Sequence, residues 1–224
     1  MAKIKRRPVI NYLRQTGLVS PRKLAQVKLT VIGAGGINSP AVLVISKMGV
    51  RQIEVYDHDI ISSHNIPNQF YPFRDIGKLK VTSLEKSVFD YAGVSIIARR
   101  EKYEHQALSG LVVSGVDSMD TRKAIWEEIK KQASVPLYID ARMGALIGRI
   151  FSIKPTDPDQ IGWYEETLYS HEEAVQLPCT ARAISFNTFV LAGLIADQIK
   201  KWVNGEEVKK NITVDLGNLR LVAY

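Results

Sequence analysis

The fold is decided by residues 29–49, LTVIGAGGINSPAVLVISKMG. The first four residues form a short apolar run with β-branched side chains, which favours a buried strand. Gly33-Ala34-Gly35-Gly36 follows at once, and Pro40 to Met48 predicts a helix that Gly49 ends. Glycines let a backbone approach a phosphate, and a helix N-terminus attracts anions. The stretch predicts a nucleotide-binding strand–turn–helix unit, although Asn38 stands where G-x-G-x-x-G needs its third glycine. A tight turn without a ligand is the alternative.

Strand and helix patterns alternate along the chain beyond this stretch. The predicted strands are Gln52 to Tyr56, Val94 to Ala98, Leu111 to Val113 and Leu137 to Ala141. The predicted helices are Lys78 to Tyr91 and Ser118 to Gln132. Strands and helices of these lengths in alternation predict a Rossmann-like α/β fold with a mostly parallel sheet and helices on both faces.

The pattern changes after residue 141. Leu146 to Ile153 predicts a further strand, and residues 155–178 contain prolines and acids with little periodicity, which favours a long functional loop. A helix is predicted over Ala181 to Val203, and two C-terminal strands, expected to extend the sheet antiparallel, over Asn211 to Asp215 and Leu219 to Tyr224. We expect a basic arm and helix over residues 1–28 and a single nucleotide-binding domain over residues 29–224.

The composition is that of a globular protein of 224 residues, with 46% hydrophobic and 24% charged residues. Polar residues interrupt the longest apolar region, Ile184 to Val203, so no membrane span is expected. No signal-peptide pattern is visible near residue 1, and we expect a cytoplasmic protein. The single cysteine excludes an internal disulfide and a four-cysteine zinc site, so no zinc is expected.

The net charge of +7 is concentrated at the N-terminus. Residues 1–28 contain eight Lys or Arg and no acid, whereas the rest of the chain is nearly neutral. Such an arm could contact nucleic acid, an acidic protein or a phosphate-bearing ligand. A solvated tail is the alternative.

Several polar residues after the second strand suit a nucleotide. Asp57 lies 24 residues after Gly33, where an acid can accept hydrogen bonds from ribose hydroxyls, and Asp59 lies two residues further. The amides of Asn65 and Gln69 and a lysine near a helix start, Lys80, suit a triphosphate better than a hydride-transfer cofactor. Loop acids that cap a turn and a solvated helix face are the alternatives.

Taken in order, these motifs resemble the ubiquitin-activating-like adenylyltransferases that include ThiF, MoeB and HesA. That family's pattern is Y-x-R-Q, G-x-G-G, D-x-D, N-x-x-R-Q, D-x-G-x-x-K and a later acid at a strand end. The corresponding residues here are Tyr12 to Gln15, Gly33 to Gly36, Asp57 to Asp59, Asn65 to Gln69, Asp75 to Lys80, and Asp117. The resemblance covers about residues 11–203.

The resemblance implies ATP and Mg²⁺ as cofactors and a small ubiquitin-like or sulfur-carrier protein as the partner, whose C-terminal carboxylate is adenylated. It implies that the nucleotide is contacted by Gly33, Gly35, Gly36 and Asp57, with Asp59 and Gln69 beside them. It also implies that Asn65 and Lys80 contact the phosphates and that Asp117 binds Mg²⁺. Arg14 resembles an arginine that family members deliver across a homodimer interface to the partner's ATP.

Cys179 precedes the predicted long helix, and Arg182 is one turn away. A helix N-terminus and a nearby cation lower a thiol pKa, so a reactive thiolate is one interpretation and a buried apolar residue is the other. The resemblance implies that Cys179 can take the activated acyl group or sulfur from the adenylate.

The sequence departs from the family pattern at two points. Asn68 replaces the arginine of N-x-x-R-Q, for which Arg74 is a candidate substitute, and the paired C-x-x-C zinc motifs are absent. Three other functions stay open: a tRNA-modifying adenylating enzyme that uses the basic arm, a non-catalytic nucleotide-binding subunit, and a nicotinamide dehydrogenase.

Overall fold

In the computed structural model, which describes residues 10–169 and 183–224, the described strands form one sheet in the order β3-β2-β1-β4-β5-β6-β7-β8. The strands are β1 Lys28–Ile32, β2 Gln52–Tyr56, β3 Ile97–Arg99, β4 Leu111–Ser114, β5 Tyr138–Gly144, β6 Ile147–Ile153, β7 Asn211–Asp215 and β8 Arg220–Ala223. Neighbours among β3, β2, β1, β4 and β5 pair in parallel, and β6, β7 and β8 extend the sheet antiparallel. The predicted α/β fold is therefore confirmed.

The described α-helices cover both faces of the sheet. They are α1 Pro21–Leu24, α2 Asn38–Met48, α3 Lys80–Ala92, α4 Met119–Ile129, α5 Pro158–Glu165 and α6 Ser185–Asn204. Helices α2, α3 and α6 contribute to the core on one face, and α4 and α5 contribute to the core on the other. None of these helices combines the length and the apolar character that crossing a bilayer requires.

The side chains of the central strand β1 are buried on both faces of the sheet. Leu29 and Val31 face one core and Ile32 faces the other, and all three side chains are buried. A short apolar run with both faces buried is typical of a parallel strand between helical layers. The glycine turn that follows β1 therefore begins at the carboxyl edge of the sheet.

Three sequence predictions need correction. Residues 158–165, predicted as part of an irregular loop, form helix α5, which begins at a proline after Asp157; the Asp157 side chain accepts hydrogen bonds from the backbone N–H of Asp159 and Gln160. The third strand begins at Ile97 rather than Val94, because its pairing with β2 begins at Ile97, opposite Glu54. Val94 and Ile96 are buried ahead of this pairing. The long C-terminal helix begins at Ser185; residues 181 and 182 lie outside the described residues.

Candidate nucleotide-binding site

The candidate site lies at the carboxyl edge of the parallel strands. Strand β2 pairs with one edge of β1, and β4 pairs with the other edge. The direction in which successive strands are added to the sheet therefore reverses between β1 and β4. Gly33 follows β1, Asp57 follows β2, and Asp117 comes three residues after β4. Ligands of open α/β sheets bind at such a switch point, outside the carboxyl ends of the strands.

The glycines of the first turn play different parts. Gly33 has φ +85°, a left-handed backbone, and an added Cβ would lie 3.1 Å from the carbonyl oxygen of Gly115. A Cβ on Gly36 would meet the Thr188 side chain at 3.3 Å, so Gly36 allows close packing against α6. Among residues 10–169 and 183–224, no atom would lie within 4 Å of a Cβ on Gly35. Gly35 therefore borders the open space of the candidate site.

Asn38, at the place of the missing third glycine, cross-links the end of β1. Its Nδ2 donates to the carbonyl oxygens of Ile32 (3.0 Å) and Gly33 (2.8 Å), and the side chain is fully buried. The N–H of Gly115 donates to the same Ile32 oxygen at 3.2 Å. Asn38 therefore fixes the shape of the turn.

Asp57 is buried at the end of β2 and binds the backbone of the glycine turn. Its Oδ2 accepts a hydrogen bond from the N–H of Ala34 at 2.7 Å, and its Oδ1 accepts one from the N–H of Asp59 at 2.8 Å. The hydroxyl of Tyr71 donates to the carbonyl oxygen of Ala34 at 2.6 Å. Burial, together with the negative charges of Asp57 and Asp59, raises the pKa of Tyr71 well above its usual value, so this hydroxyl stays protonated.

Lys80 is the first residue of α3, as predicted near a helix start, and it pairs with Asp59. Its Nζ lies 2.7 Å from Oδ2 of Asp59, and its backbone N–H donates to the Asp59 carbonyl at 2.9 Å. The lysine is almost fully buried, whereas the Asp59 side chain is half exposed. The hydrogen bond from Lys80 lowers the pKa of Asp59, so this carboxylate is ionised at neutral pH.

The D-x-G-x-x-K motif, Asp75 to Lys80, forms a turn that leads into α3. The carboxylate of Asp75 accepts hydrogen bonds from Nζ of Lys78 at 2.6 Å and from the hydroxyl of Ser83 at 2.7 Å. These contacts lower the pKa of Asp75. Gly77 has φ +89° and its N–H donates to the Ile61 carbonyl. The motif holds the start of α3 against the loop that contains Asp59.

The remaining predicted amides lie in the loop beside the glycine turn. Oδ1 of Asn65 accepts the N–H of Ser62 at 2.8 Å, and the side chain is buried. Oε1 of Gln69 is buried without a hydrogen-bond partner among residues 10–169 and 183–224. Arg74 is exposed and lines a cavity of about 400 Å³ together with Gln69, Phe70, Tyr71, Pro72, Ser87, Asp90 and Tyr91. In this structure Arg74 therefore lies beside Gln69, on the α3 side of the loop.

Asp117 is exposed in the turn between β4 and α4. Within the described part of the chain, no hydrogen bond or ion pair engages its carboxylate, so its oxygens can accept a ligand. Carboxylate oxygens are the donors that Mg²⁺ prefers. Asp57, His58 and Asp59 also lie close enough to share a metal, but backbone N–H groups already bind Asp57 and Lys80 binds Asp59. The exposed carboxylate of Asp117 therefore fits Mg²⁺, and Gly35 leaves open space beside the turn for a ligand.

Two predicted residues lie elsewhere. Arg14 is exposed in a short 3₁₀ helix that packs at the far end of α2, where the Gln15 side chain donates to the Met48 carbonyl and the Tyr12 ring contacts Gly49. An 11-residue helix is about 16 Å long, which separates Arg14 from the glycine turn of its own chain. Cys179 lies outside the described residues.

A buried charged network, which the sequence did not predict, lies behind Asp117. The carboxylate of Asp140 on β5 accepts hydrogen bonds from Arg122 at 2.8 Å and Arg142 at 2.7 Å. Burial raises the pKa of Asp140, but the two guanidinium groups outweigh burial and hold it below its usual value. The available signal was a charged residue inside an otherwise apolar strand, Leu137 to Ala141.

The fold and the site define a Rossmann-like α/β domain with glycines, carboxylates and a lysine at its switch point. Within that class, the chain belongs to the ThiF family, whose model matches residues 9–221. The family resemblance seen in the sequence is thereby confirmed.

Curated relatives share parts of the chain. It is 31% identical over 106 residues to the NEDD8-activating enzyme E1 catalytic subunit of Arabidopsis thaliana, covering 44% of this chain and 23% of the relative. It is 39% identical over 70 residues to the adenylyltransferase and sulfurtransferase uba4 of Aspergillus niger, covering 31% and 14%. It is 26% identical over 134 residues to a probable molybdopterin-synthase adenylyltransferase of Porphyra purpurea, covering 56% and 35%. The chain thus spans 14–35% of these relatives' lengths.

Solved structures share the fold over nearly the whole chain. E. coli MccB has a TM-score of 0.75 at 16% identity, covering 97% of this chain and 70% of MccB. The same protein solved with ATP has a TM-score of 0.73 at 16% identity, covering 95% and 68%. PaaA has a TM-score of 0.74 at 17% identity, covering 100% and 77%. At these identities, the likeness establishes the fold.

Proposed function

We propose that this protein catalyses the ATP-dependent adenylation of the C-terminal carboxylate of a small ubiquitin-like or sulfur-carrier protein. The observation that carries the proposal is the convergence of Gly35, Asp57, the Asp59–Lys80 pair and Asp117 at one switch point. The curated relatives, which are named activating enzymes and adenylyltransferases, support the same reaction. We also propose that residues 29–224 act as one adenylation domain preceded by the basic arm, and we predict a cytoplasmic location, where ATP is available.

The chemistry requires no general base. A C-terminal carboxylate is ionised at neutral pH, so one of its oxygens can attack the α-phosphorus of ATP directly. The bond from that phosphorus to the oxygen bridging to the β-phosphate breaks, and its electron pair leaves with pyrophosphate. Catalysis then consists of in-line positioning and of stabilising the negative charge on the leaving group.

Each proposed site residue contributes to one of these tasks. Asp57 would hold the ribose and the glycine turn together, while the buried ammonium of Lys80 would face the phosphates. Asn65 and Gln69 lie on the same loop, where amide groups would complete the phosphate contacts. Mg²⁺ bound by Asp117 would neutralise charge on the departing pyrophosphate.

Two further parts of the proposal rest on the sequence. A homodimer would bring Arg14 of one protomer to the nucleotide of the other. The thiol of Cys179 would first lose its proton to solvent, and the thiolate would then attack the carbonyl carbon of the acyl adenylate. The bond from that carbon to the AMP oxygen would break, and its electron pair would leave with AMP. The product would then be a thioester on this chain. No zinc is needed for either step.

The test is ATP–pyrophosphate exchange with candidate carrier proteins. We expect exchange that depends on a carrier and is lost in Lys80→Ala, whereas Lys86→Ala, an exposed lysine on the same helix that pairs with Asp90, should behave like the wild type. Mass spectrometry of the protein with ATP and carrier tests the thiol, because a covalent adduct on Cys179 must vanish in Cys179→Ala. Absence of exchange with every carrier, despite ATP binding, would contradict the proposed activity.

Asn68 favours one second candidate, a non-catalytic nucleotide-binding subunit. The position lacks the guanidinium that the family pattern places beside the phosphates, and Arg74 lies on the α3 side of the loop. Tight ATP and partner binding without AMP formation would support this candidate. An Asn68→Arg variant that gains exchange activity would show that the missing cation alone limits the reaction.

A further inference from the structure

The buried network around Asp140 connects three elements of the protein. Asp140 has no exposed surface, and its Oδ1 accepts from Nε of Arg122 at 2.8 Å. Its Oδ2 accepts from Nε of Arg142 at 2.7 Å and from the hydroxyl of Tyr164 at 3.0 Å. Two guanidinium groups from β5 and α4 therefore share one carboxylate, and α5 adds a hydroxyl.

Arg122 extends this network to the turn that contains Asp117. Its Nη2 donates to the carbonyl oxygen of Val116 at 2.6 Å, next to Asp117 in the chain. The guanidinium is planar and rigid, so fixing Nε on Asp140 also fixes where Nη2 holds Val116. On the other side of Val116, the N–H of Gly115 donates to the Ile32 carbonyl. The turn is therefore anchored immediately before Asp117.

Stability alone gives a weak reason for such a network. Replacing a buried ion pair by apolar residues of similar volume often leaves a protein equally stable or more stable, because both charges lose their hydration. A rigid fork in a buried setting is better suited to holding a backbone atom in one place. The atom held here belongs to the turn of the proposed metal ligand.

We propose that Arg122, oriented by Asp140, is a positioning residue that fixes Asp117 for Mg²⁺ at the phosphates. The inference rests on the proposed function through the assignment of Mg²⁺ to Asp117. Arg122 does not itself touch nucleotide or metal in this proposal. Its effect is carried by the Val116 carbonyl and the turn behind it.

Arg142 provides a matched control on the same carboxylate. It donates to the other oxygen of Asp140, and its remaining N–H groups bind the carbonyl oxygen and hydroxyl of Thr167 at 2.7 and 3.0 Å. Arg142 is thus also a largely buried arginine paired with Asp140, but its contacts lead to the end of α5 instead of the Asp117 turn. Arg122→Lys and Arg142→Lys break comparable hydrogen bonds on opposite sides of one group.

The experiment measures binding of a non-hydrolysable ATP analogue by calorimetry, with Mg²⁺ and with EDTA. We expect Arg122→Lys to reduce the gain in affinity that Mg²⁺ provides by about tenfold or more, as loss of a group that orients a metal ligand does, while leaving binding in EDTA unchanged. Arg142→Lys should show a similar loss in thermal unfolding temperature and a wild-type Mg²⁺ gain. In an Asp117→Asn background, Arg122→Lys should cause no further loss of that gain.

Three outcomes would overturn the inference. These outcomes are an unchanged Mg²⁺ gain in Arg122→Lys, an equal loss in Arg142→Lys, and an additive loss on top of Asp117→Asn. If Arg122→Lys does not fold, the double variant Arg122→Gln/Asp140→Asn keeps the local net charge and is measured instead with the same expected result. A wild-type protein with a normal Mg²⁺ gain but no pyrophosphate exchange would contradict the proposed adenylation and leave the positioning role standing.

Discussion

Asn38 occupies a position that the glycine pattern reserves for a residue without a side chain. The sequence showed the mismatch, but it could not show that the amide would bind two backbone carbonyls at the end of β1. Those partners are determined by how β1, α2 and the β4 turn meet. A Cβ added to Gly115 would lie 2.9 Å from the Asn38 side chain, so a residue larger than glycine at position 115 would collide with the Asn38 amide.

Gly35 allows ligand binding to be separated from stability. A Cβ at this position meets no atom of the described part of the chain within 4 Å, so Gly35→Ala should change the free energy of unfolding by less than about 0.5 kcal/mol. The added methyl would enter the space proposed for the nucleotide, so ATP affinity should fall about tenfold or more. Calorimetry with ATP and urea unfolding measure the two effects. Gly162→Ala, which also has open space, should leave ATP affinity unchanged.

Asp57 should matter more for nucleotide affinity than a surface carboxylate such as Asp197. Both oxygens of Asp57 accept hydrogen bonds from backbone N–H groups. An asparagine has only one side-chain oxygen, so in Asp57→Asn the amide nitrogen would face one of these two N–H donors. We expect ATP affinity to fall about tenfold or more, since a hydrogen bond to a charged group contributes about 1.5–3 kcal/mol. Calorimetry measures this loss. Asp197→Asn, on the outer part of α6, should bind ATP like the wild type, and equal affinities for the two variants would contradict the assigned role.

The turn from Asp75 to Lys80 behaves as a structural element. The sequence pattern indicated Lys80 as a phosphate ligand, and the structure pairs Lys80 with Asp59 and Lys78 with Asp75. Linear order cannot distinguish the two lysines, because only the turn at Gly77 determines which ammonium faces the site. This element also ties α3 to the loop of Asp59 through the Lys80 N–H.

Asp75 should give this turn a pH-dependent contribution to stability. Hydrogen bonds from Lys78 and Ser83 lower its pKa in the folded state, so its contribution is present above the unfolded pKa of about 3.9 and is lost as pH falls through the folded pKa. Asp75→Asn should reduce the free energy of unfolding by about 1–3 kcal/mol at pH 7, and the difference should shrink toward pH 3. Urea unfolding at pH 7, 5 and 3 measures the trend.

A surface carboxylate supplies the control for this trend. Asp90 pairs with Lys86 four residues before it on α3, and both side chains are largely exposed, so Asp90→Asn should cost less than about 0.5 kcal/mol at every pH. A pH-independent loss in Asp75→Asn would mean that packing, rather than ionisation, explains the effect of the substitution.

Helices with strong local signals were predictable, and helix α5 was not. The long C-terminal helix and the strand–turn–helix unit at Gly33 follow from apolar periodicity and flanking glycines. Helix α5 is short, and prolines and acids in residues 155–178 hide its periodicity. Its stability comes from tertiary contacts such as the buried Tyr164, which packs against Trp126 and reaches Asp140. Contacts of that kind are set by the fold and leave little trace in local sequence.

Over the whole molecule, the parallel topology explains why separate motifs converge. Asp57 and Asp117 are 60 positions apart in the chain, yet β2 and β4 flank β1 and end at one edge. The order of strands and helices was readable from the sequence, so the edge of the site was predictable. The Asp140 network was not, because it depends on which side chains from α4, α5 and β5 meet behind that edge.

Arg14 lies at the opposite end of α2 from the glycine turn of its own chain. An arginine side chain cannot span the roughly 16 Å length of that helix. A role for Arg14 at a nucleotide therefore requires the nucleotide of a second protomer, and a two-fold dimer would place one Arg14 at each site. This geometry makes the role testable by subunit mixing.

The mixing experiment uses two inactive variants, Arg14→Ala and Lys80→Ala. In a mixed dimer, the Arg14→Ala protomer retains Lys80 and receives Arg14 from its partner, so that site is intact, while the other site lacks both cations. Random exchange of subunits should therefore restore about a quarter of wild-type pyrophosphate exchange, as expected for a two-fold dimer with shared sites. Mixing Lys80→Ala with Asp57→Asn, whose defects lie in the same site of each protomer, should restore none. Equal recovery in both mixtures, or recovery in neither, would contradict delivery of Arg14 across the interface.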